Sequence, residues 1–183
     1  NEENMTKINL YNDNIGFVEY VQHMGDDLTI VNSARVSFGK QKEKLDDRDD
    51  KLIKYLINHQ HTSTLEHNVV TFRLCVPLYV RSQHHRHRTW SYNEISRRYT
   101  SDNMVFHQPC EFRTQHKSNR QASNENNLID PVITPNFADT YIKSSDAIKK
   151  WHNSSLDLFN KLIAAGVCRE QARGILPQNL YTE

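Results

Sequence analysis

The chain has 183 residues, 37% of them hydrophobic and 25% charged, with a formal net charge of +1. That length suits one domain able to bury a core, and the near-zero charge excludes a global pull toward nucleic acid or membrane. The three cysteines, Cys75, Cys110 and Cys168, are widely spaced and show no CxxC, which excludes a cysteine zinc site or a disulfide scaffold and fits a reducing, cytoplasmic setting.

At the start of the chain, Asn1–Asn4 precede Met5 and read as an upstream remnant; no signal peptide is visible. Apolar segments around Phe17–Val21 and Leu28–Val31 suggest mixed short strand and helix over residues 15–37. Residues 46–60 predict a helix: Asp46, Asp47, Asp49 and Asp50 favour the positive end of its dipole as a solvated first turn, and Leu52, Tyr55 and Leu56 share one face. Residues 68–76 alternate as a strand, with Val70, Phe72, Leu74 and Val76 expected to face the core. Pro77 cannot continue a ladder but suits a helix start, so a helix is expected from Leu78 to about Arg88. Residues 107–136 read as a polar loop, and Gln115–Asn127, with Ala122 its one apolar residue, as mobile surface. The longest helix is expected over 138–165, with Tyr141, Ile148, Trp151, Leu158, Leu162 and Ile163 at helical spacing and Gly166 as its cap. A shorter helix follows over Arg169–Ile175. No run of the chain is apolar enough for a membrane helix. The chain stops at Leu180-Tyr181-Thr182-Glu183 without a terminating signal, so a C-terminal continuation is expected. A strand followed by helices, without βαβ alternation, indicates an α+β fold, a central antiparallel or mixed sheet with flanking helices.

Chemistry concentrates between Arg81 and Tyr99. Arg81, Arg86, Arg88, Arg97 and Arg98 cluster with His84, His85 and His87, and Glu94 is the only acid among them. Crowded like charge is costly unless it is solvated or an anion binds there. The guanidinium fork suits phosphate because it donates two parallel hydrogen bonds. The bland reading is a solvated basic face; Trp90, Tyr92 and Ile95, interleaved with the arginines, argue instead for an anchored segment. A metal site drawn from His59, His61, His67, His84, His85 and His87 lacks a spacing such as HExxH. Ser96 has no adjacent base and no readable triad, so binding is favoured over nucleophilic attack.

Arg86-His87-Arg88, seven residues, then Ser96 resembles the signature of the flavin-dependent thymidylate synthases, the ThyX family. The run Ser91-Tyr92-Asn93-Glu94-Ile95-Ser96 with Arg98-Tyr99 is similar to the family beyond that signature. So are Ala34–Phe38, the histidine-rich turn His59–His67, and Leu176–Thr182. The resemblance therefore runs in order over most of the chain.

The resemblance implies a single ThyX-type domain over 1–183, forming homotetramers with active sites between subunits. The implied reaction converts dUMP to dTMP, with methylenetetrahydrofolate as carbon donor and FAD, reduced by NADPH, as hydride donor. Implied FAD contacts are Ser63, Arg86, His87, Arg88 and Glu94. The implied dUMP set is Gln83, His84, His85, Arg86, Glu94, Ile95, Ser96, Arg97 and Arg98. His61 matches a folate- and flavin-side histidine, and Ser96, Arg98 and His61 are the catalytic candidates. The family continues past the Leu-Tyr-Thr segment with further nucleotide and flavin contacts. The alternatives are a nucleic-acid-binding module, in which Trp90, Tyr92 and Tyr99 stack on a single strand, and an inactive fragment of the enzyme.

Overall fold

The structure is a computed structural model that describes residues 7–96, 98–99 and 104–183. The proposed remnant at Asn1–Asn4 and the candidate ligand Arg97 lie outside the described residues. Internal contacts group the chain into two compact units, one from residues 1–8 and 18–73, the other from residues 9–17 and 74–183.

In the first unit, strands β1 (Lys7–Asn9), β2 (Phe17–Met24) and the start of β3 (Val69–Pro77) lie side by side in that order. Helix α1 (Asp27–Arg35) begins with a capping box: the Thr29 backbone N–H donates to Asp26 Oδ1 at 2.8 Å, and the Asp26 N–H donates to Thr29 Oγ1 at 3.2 Å. Gly25, just before it, has φ +83°, and a Cβ there would lie 2.1 Å from Asn68 Oδ1, so only glycine fits. Helix α2 (Asp47–Asn58) is capped by Asp46.

The acids of α2 are not all solvated. Asp49 is fully buried and accepts from Arg35 Nη2 at 3.0 Å, from Lys42 Nζ, and from the Asp46 backbone N–H at 2.9 Å. A buried carboxylate is tolerated only with such partners. The Lys42 ammonium, then the Asp46 N–H, hold its pKa down at about 2. Lys42 is itself placed by the Asn32 side chain, which binds both its backbone N–H and its carbonyl. Asp49 thus ties α1, the linker and α2 together. Of the expected apolar face, Leu56 is buried but Tyr55 is exposed, stacked on His59 with centroids 3.9 Å apart.

Strand β3 does not follow the expected in–out alternation. Residues 69–73 are exposed, Val70 and Phe72 included, whereas Cys75, Val76 and Pro77 are buried in succession. Period two reports side-chain direction, but burial depends on what covers each face. In the second unit the end of β3 pairs antiparallel with β8 (Tyr181–Thr182), Val76 opposite Thr182 and Pro77 opposite Tyr181. Pro77 closes the strand and leads into α3 (Leu78–His84), which stops short of the expected Arg88.

Residues 107–136 are not a structureless loop. Strands β4 (Phe112–Gln115) and β5 (Ser123–Ile129) form an antiparallel hairpin with a register irregularity between Arg113 and Thr114. The polar side chains that suggested a loop build the hairpin. Gln115 Nε2 donates to the carbonyls of Asn119, Arg120 and Ala122, and Asn124 Nδ2 donates to Thr114 Oγ1 at 3.0 Å. Residues 125–129 do lie at the surface. Strands β6 (Val132–Ile133) and β7 (Ile142–Lys143) pair next, so the longest helix, α4 (Ser144–Ala164), starts later than expected.

Helix α4 buries Ala147, His152, Ser155 and Phe159, while Trp151 and Leu158 are exposed. It ends as the sequence indicated. Gly166 has φ +89°, its N–H donates to the Ile163 carbonyl, and the Val167 N–H donates to Leu162, a Schellman closure. Short helix α5 (Arg169–Ala172) and the turn Arg173–Ile175 follow. Phe159, Ala172, Leu176 and Leu180 form the core here, with Leu78, Phe106 and Leu162 packed around them. The result is an α+β arrangement of helices with small antiparallel sheets. Among the described residues no helix is long and apolar enough to cross a membrane.

Candidate active site

Helix α3 and strand β8 position a cavity of about 400 Å³ in the second unit. Its polar lining is Arg81, Glu94, Ser96, Arg173 and Thr182, and Leu78, Ile95, Leu176 and Leu180 form its apolar wall. Arg81 projects from the last turn of α3. Glu94–Ser96 come from an irregular segment that the structure ties down at several points. The Ile95 N–H donates to the Glu183 carbonyl at 2.8 Å. The Tyr92 hydroxyl donates to the carbonyls of His84 and His87 at 2.9 and 3.0 Å, closing the turn after α3. Trp90 meets His84 edge-on, and Tyr92 packs on His85 at 4.2 Å. Tyr92 thus anchors this segment, whereas Trp90 and Ile95 remain exposed, 46% and 43% accessible.

Glu94 Oε1 accepts a 2.6 Å hydrogen bond from Thr182 Oγ1 and lies 3.1 Å from Arg81 Nε. The Arg81 contact lacks hydrogen-bond alignment, so it is an ion pair rather than a directed bond. The cavity therefore holds two guanidinium groups, one fixed carboxylate and a serine hydroxyl beside an apolar wall. Such a lining can accept a ligand that carries both an anionic group and an apolar face.

Tyr181 also lines the cavity; its hydroxyl donates to Asp13 Oδ2, and His107 Nδ1 lies 3.3 Å from both of these groups. Asp13 also accepts the N–H groups of Ile15 and Gly16 at 2.9 and 3.1 Å. Burial would raise the Asp13 pKa, but the Tyr181 bond and these N–H groups outweigh it and hold it below the ordinary range. Burial, then the Asp13 bond, pushes the Tyr181 hydroxyl pKa well up, so it stays a donor.

Of the candidates from the sequence, the structure brings Glu94, Ile95 and Ser96 together in the cavity. Gln83 and His84 end α3, and His85, Arg86, His87 and Arg88 follow in the turn; among the described lining residues none of these appears. Arg86, His87 and Arg88 are exposed, which leaves the two guanidinium groups open to a ligand. Burial, then His87 and His85, lowers the His84 pKa. Arg98 pairs with Glu170 at 3.7 Å, both exposed, a contact of little energetic weight. In the first unit His61 and Ser63 are exposed at the short turn Thr62–Thr64, where Thr64 Oγ1 donates to the His61 carbonyl at 3.0 Å. Among the described residues no group of three or more His, Cys, Asp or Glu side chains is placed to hold a metal ion. Sequence reasoning missed Arg81, Arg173 and Thr182 as cavity residues. Arg81 stood inside the cationic run and Thr182 ended the family-like segment Leu176–Thr182, but nothing local marked Arg173.

A family model described as thymidylate synthase complementing protein matches residues 19–183. The chain belongs to this family. Among curated members, a flavin-dependent thymidylate synthase of Thermus thermophilus is 41% identical over 168 residues, 92% of this chain and 57% of that protein. A flavin-dependent thymidylate synthase of Kosmotoga olearia is 37% identical over 92% of this chain and 69% of its own length. The chain thus spans little more than half of the Thermus relative. Among solved structures, the UMP/dUMP methylase PolB of Streptomyces cacaoi, bound with 5-Br dUMP, superposes with a TM-score of 0.68 at 28% identity. That match covers 90% of this chain and 69% of PolB. The signature residues Arg86–Arg88 and Ser96 fall within the family match, and so do both sides of the cavity, 78–96 and 173–182.

Proposed function

We propose that the protein acts in flavin-dependent thymidylate synthesis, methylating C5 of dUMP to give dTMP. Methylenetetrahydrofolate would supply the carbon, and FAD reduced by NADPH would supply the hydride. The observation that carries this reading is the cavity itself: Glu94, Ile95 and Ser96 of the signature segment share it with Arg81 and Arg173. The names of the relatives and of PolB support the reaction class. The donor set suits the ligands. Arg81, Arg173 and Ser96 can bind a nucleotide phosphate, while Leu176, Leu180 and Ile95 offer a flat apolar wall to a pyrimidine. Arg86, Arg88 and His87, exposed on one turn, fit a flavin pyrophosphate, and Gln83, His84 and His85 border that turn.

Bound flavin would supply the redox chemistry. The protein's part is electrostatic. Carbon transfer to C5 requires the pyrimidine to carry developing negative charge, which fixed cationic side chains of the signature segment would stabilise without a covalent nucleophile. Glu94 accepts a hydrogen bond from the substrate, and Ser96 donates one. By the resemblance, His61 and Ser63 would serve the folate and flavin, and Arg97 and Arg98 the nucleotide. We read residues 1–183 as part of one catalytic domain, since the family match runs through both units. Exposed Val36 and Phe38, 73% and 76% accessible, suit packing in a homotetramer.

The test is flavin uptake and dUMP methylation. Purified protein incubated with FAD should retain a flavin absorption band near about 450 nm and convert labelled dUMP to dTMP. Arg86→Ala should lose FAD or dUMP affinity by about tenfold or more while keeping the wild-type fold, as loss of a charge-assisted contact implies. Neither flavin uptake nor dUMP binding by the wild type, with salt-sensitive nucleic-acid binding instead, would overturn the proposal.

A further inference from the structure

Resting on the proposed function, we propose that Thr182 is a positioning residue: its hydroxyl fixes the Glu94 carboxylate in the orientation that recognises the nucleoside part of the substrate. Glu94 lies in the irregular segment 91–96, whose backbone makes no ladder to hold a side chain. A glutamate there has three free torsions and a solvent-exposed alternative. Thr182, 7% exposed, donates to Oε1 at 2.6 Å, the length of a charge-assisted bond. Arg81 Nε lies 3.1 Å from the same oxygen. Among the described residues neither contact uses Oε2, so that oxygen is available to a donor on the ligand, such as the uracil N–H or the sugar hydroxyl.

Thr182 can act as a fixed point because β8 is itself held on several sides. It pairs with Val76 of β3, and its neighbour Tyr181 donates its N–H to Val105 at 2.9 Å and its hydroxyl to Asp13. The Glu94 segment and the end of β8 are also tied through the Ile95 N–H and the Glu183 carbonyl. A β-branched residue in a strand has few χ1 states, so the threonine hydroxyl is aimed with little entropic loss. Valine at 182 keeps the shape and removes only the donor.

The experiment is a double-mutant cycle on the full chain loaded with FAD, reading the dUMP dissociation constant by calorimetry. Thr182→Val and Glu94→Gln should each weaken dUMP binding by about fivefold to tenfold, the scale of one hydrogen bond to a charged group. The double variant should be no weaker than the worse single variant, because both remove one interaction. Thr182→Ser should restore near wild-type affinity. A purely structural role for Thr182 predicts losses that multiply in the double variant and a fall in melting temperature that tracks them. Multiplying losses, or wild-type affinity in Thr182→Val, would overturn the proposal. If Thr182→Val does not fold, Thr182→Ala in the same cycle gives the same two outcomes. A wild type that binds no dUMP sinks the proposed function and this proposal with it; a wild type that binds while Thr182→Val is unaffected sinks only this proposal.

Discussion

Replacing Tyr181 by phenylalanine removes one hydroxyl and nothing else from a side chain that is 4% exposed. In the wild type that hydroxyl donates to the Asp13 carboxylate. A hydrogen bond to a charged group contributes roughly 1.5–3 kcal/mol net. Asp13 would keep the Ile15 and Gly16 N–H groups at 2.9 and 3.1 Å and His107 at 3.3 Å, so it is not orphaned. The loss should therefore fall at the lower end, about 1.5 kcal/mol, or a drop in Tm of roughly 3–6 °C for a chain of this size. The pH dependence gives the sharper reading. The folded-state pKa of Asp13 is depressed below its ordinary 3.8, so its contribution is fully present above that value and is lost as pH falls through the lower folded pKa. The Tyr181 hydroxyl stays protonated across this range, so of these two bonded groups only Asp13 titrates. The Tm difference between wild type and Tyr181→Phe, followed by circular dichroism, should be present at pH 7 and should shrink below about pH 3.8. No difference at pH 7, or one that persists undiminished in acid, would refute the reasoning.

Asp49→Asn should destabilise the chain at neutral pH, because Arg35 and Lys42 lose a shared anion. The Asp49 pKa of about 2 lies below its ordinary 3.8, so wild-type stability should fall between those values as acid is added. The variant should lack that part of the acid limb, measured as the urea midpoint against pH. Gly166→Ala meets no atom within 4 Å, so its penalty comes only from the backbone at φ +89°. It should cost about 1 kcal/mol, a Tm loss of roughly 2–4 °C; an unchanged Tm would show that the Schellman closure carries no stability.

The elements legible in the sequence were those whose signals are local. The acidic start of α2, the helix start after Pro77 and the Gly166 stop are each set by local chemistry, and all three hold. The hairpin β4–β5 was not legible, because Gln115 and Asn124 use polar groups to close strands, and composition does not separate that from a solvated loop. Asp49 read as solvated because its partners Arg35 and Lys42 come from other segments. The cavity shows the same split. Glu94–Ser96 were visible within a dense motif, whereas Arg173 and Thr182 are brought in by the packing of α5, the following turn and β8 against the core. Helix α3 ends four residues before Arg88, and this moves Arg86–Arg88 from a helix face to an open turn.

The bond between Asp13 and Tyr181 joins positions 168 residues apart. Contacts of such separation are repaid only after the entropy of closing the intervening chain has been met, so they form late in folding. The cavity draws one side from residues 78–96 and the other from 173–182, and it shares this timing. A nascent polypeptide still emerging from the ribosome could carry helices α1 to α4 and yet lack this cavity. A ligand of the cavity would then act only once both of its sides are in place, raising stability by mass action rather than guiding assembly.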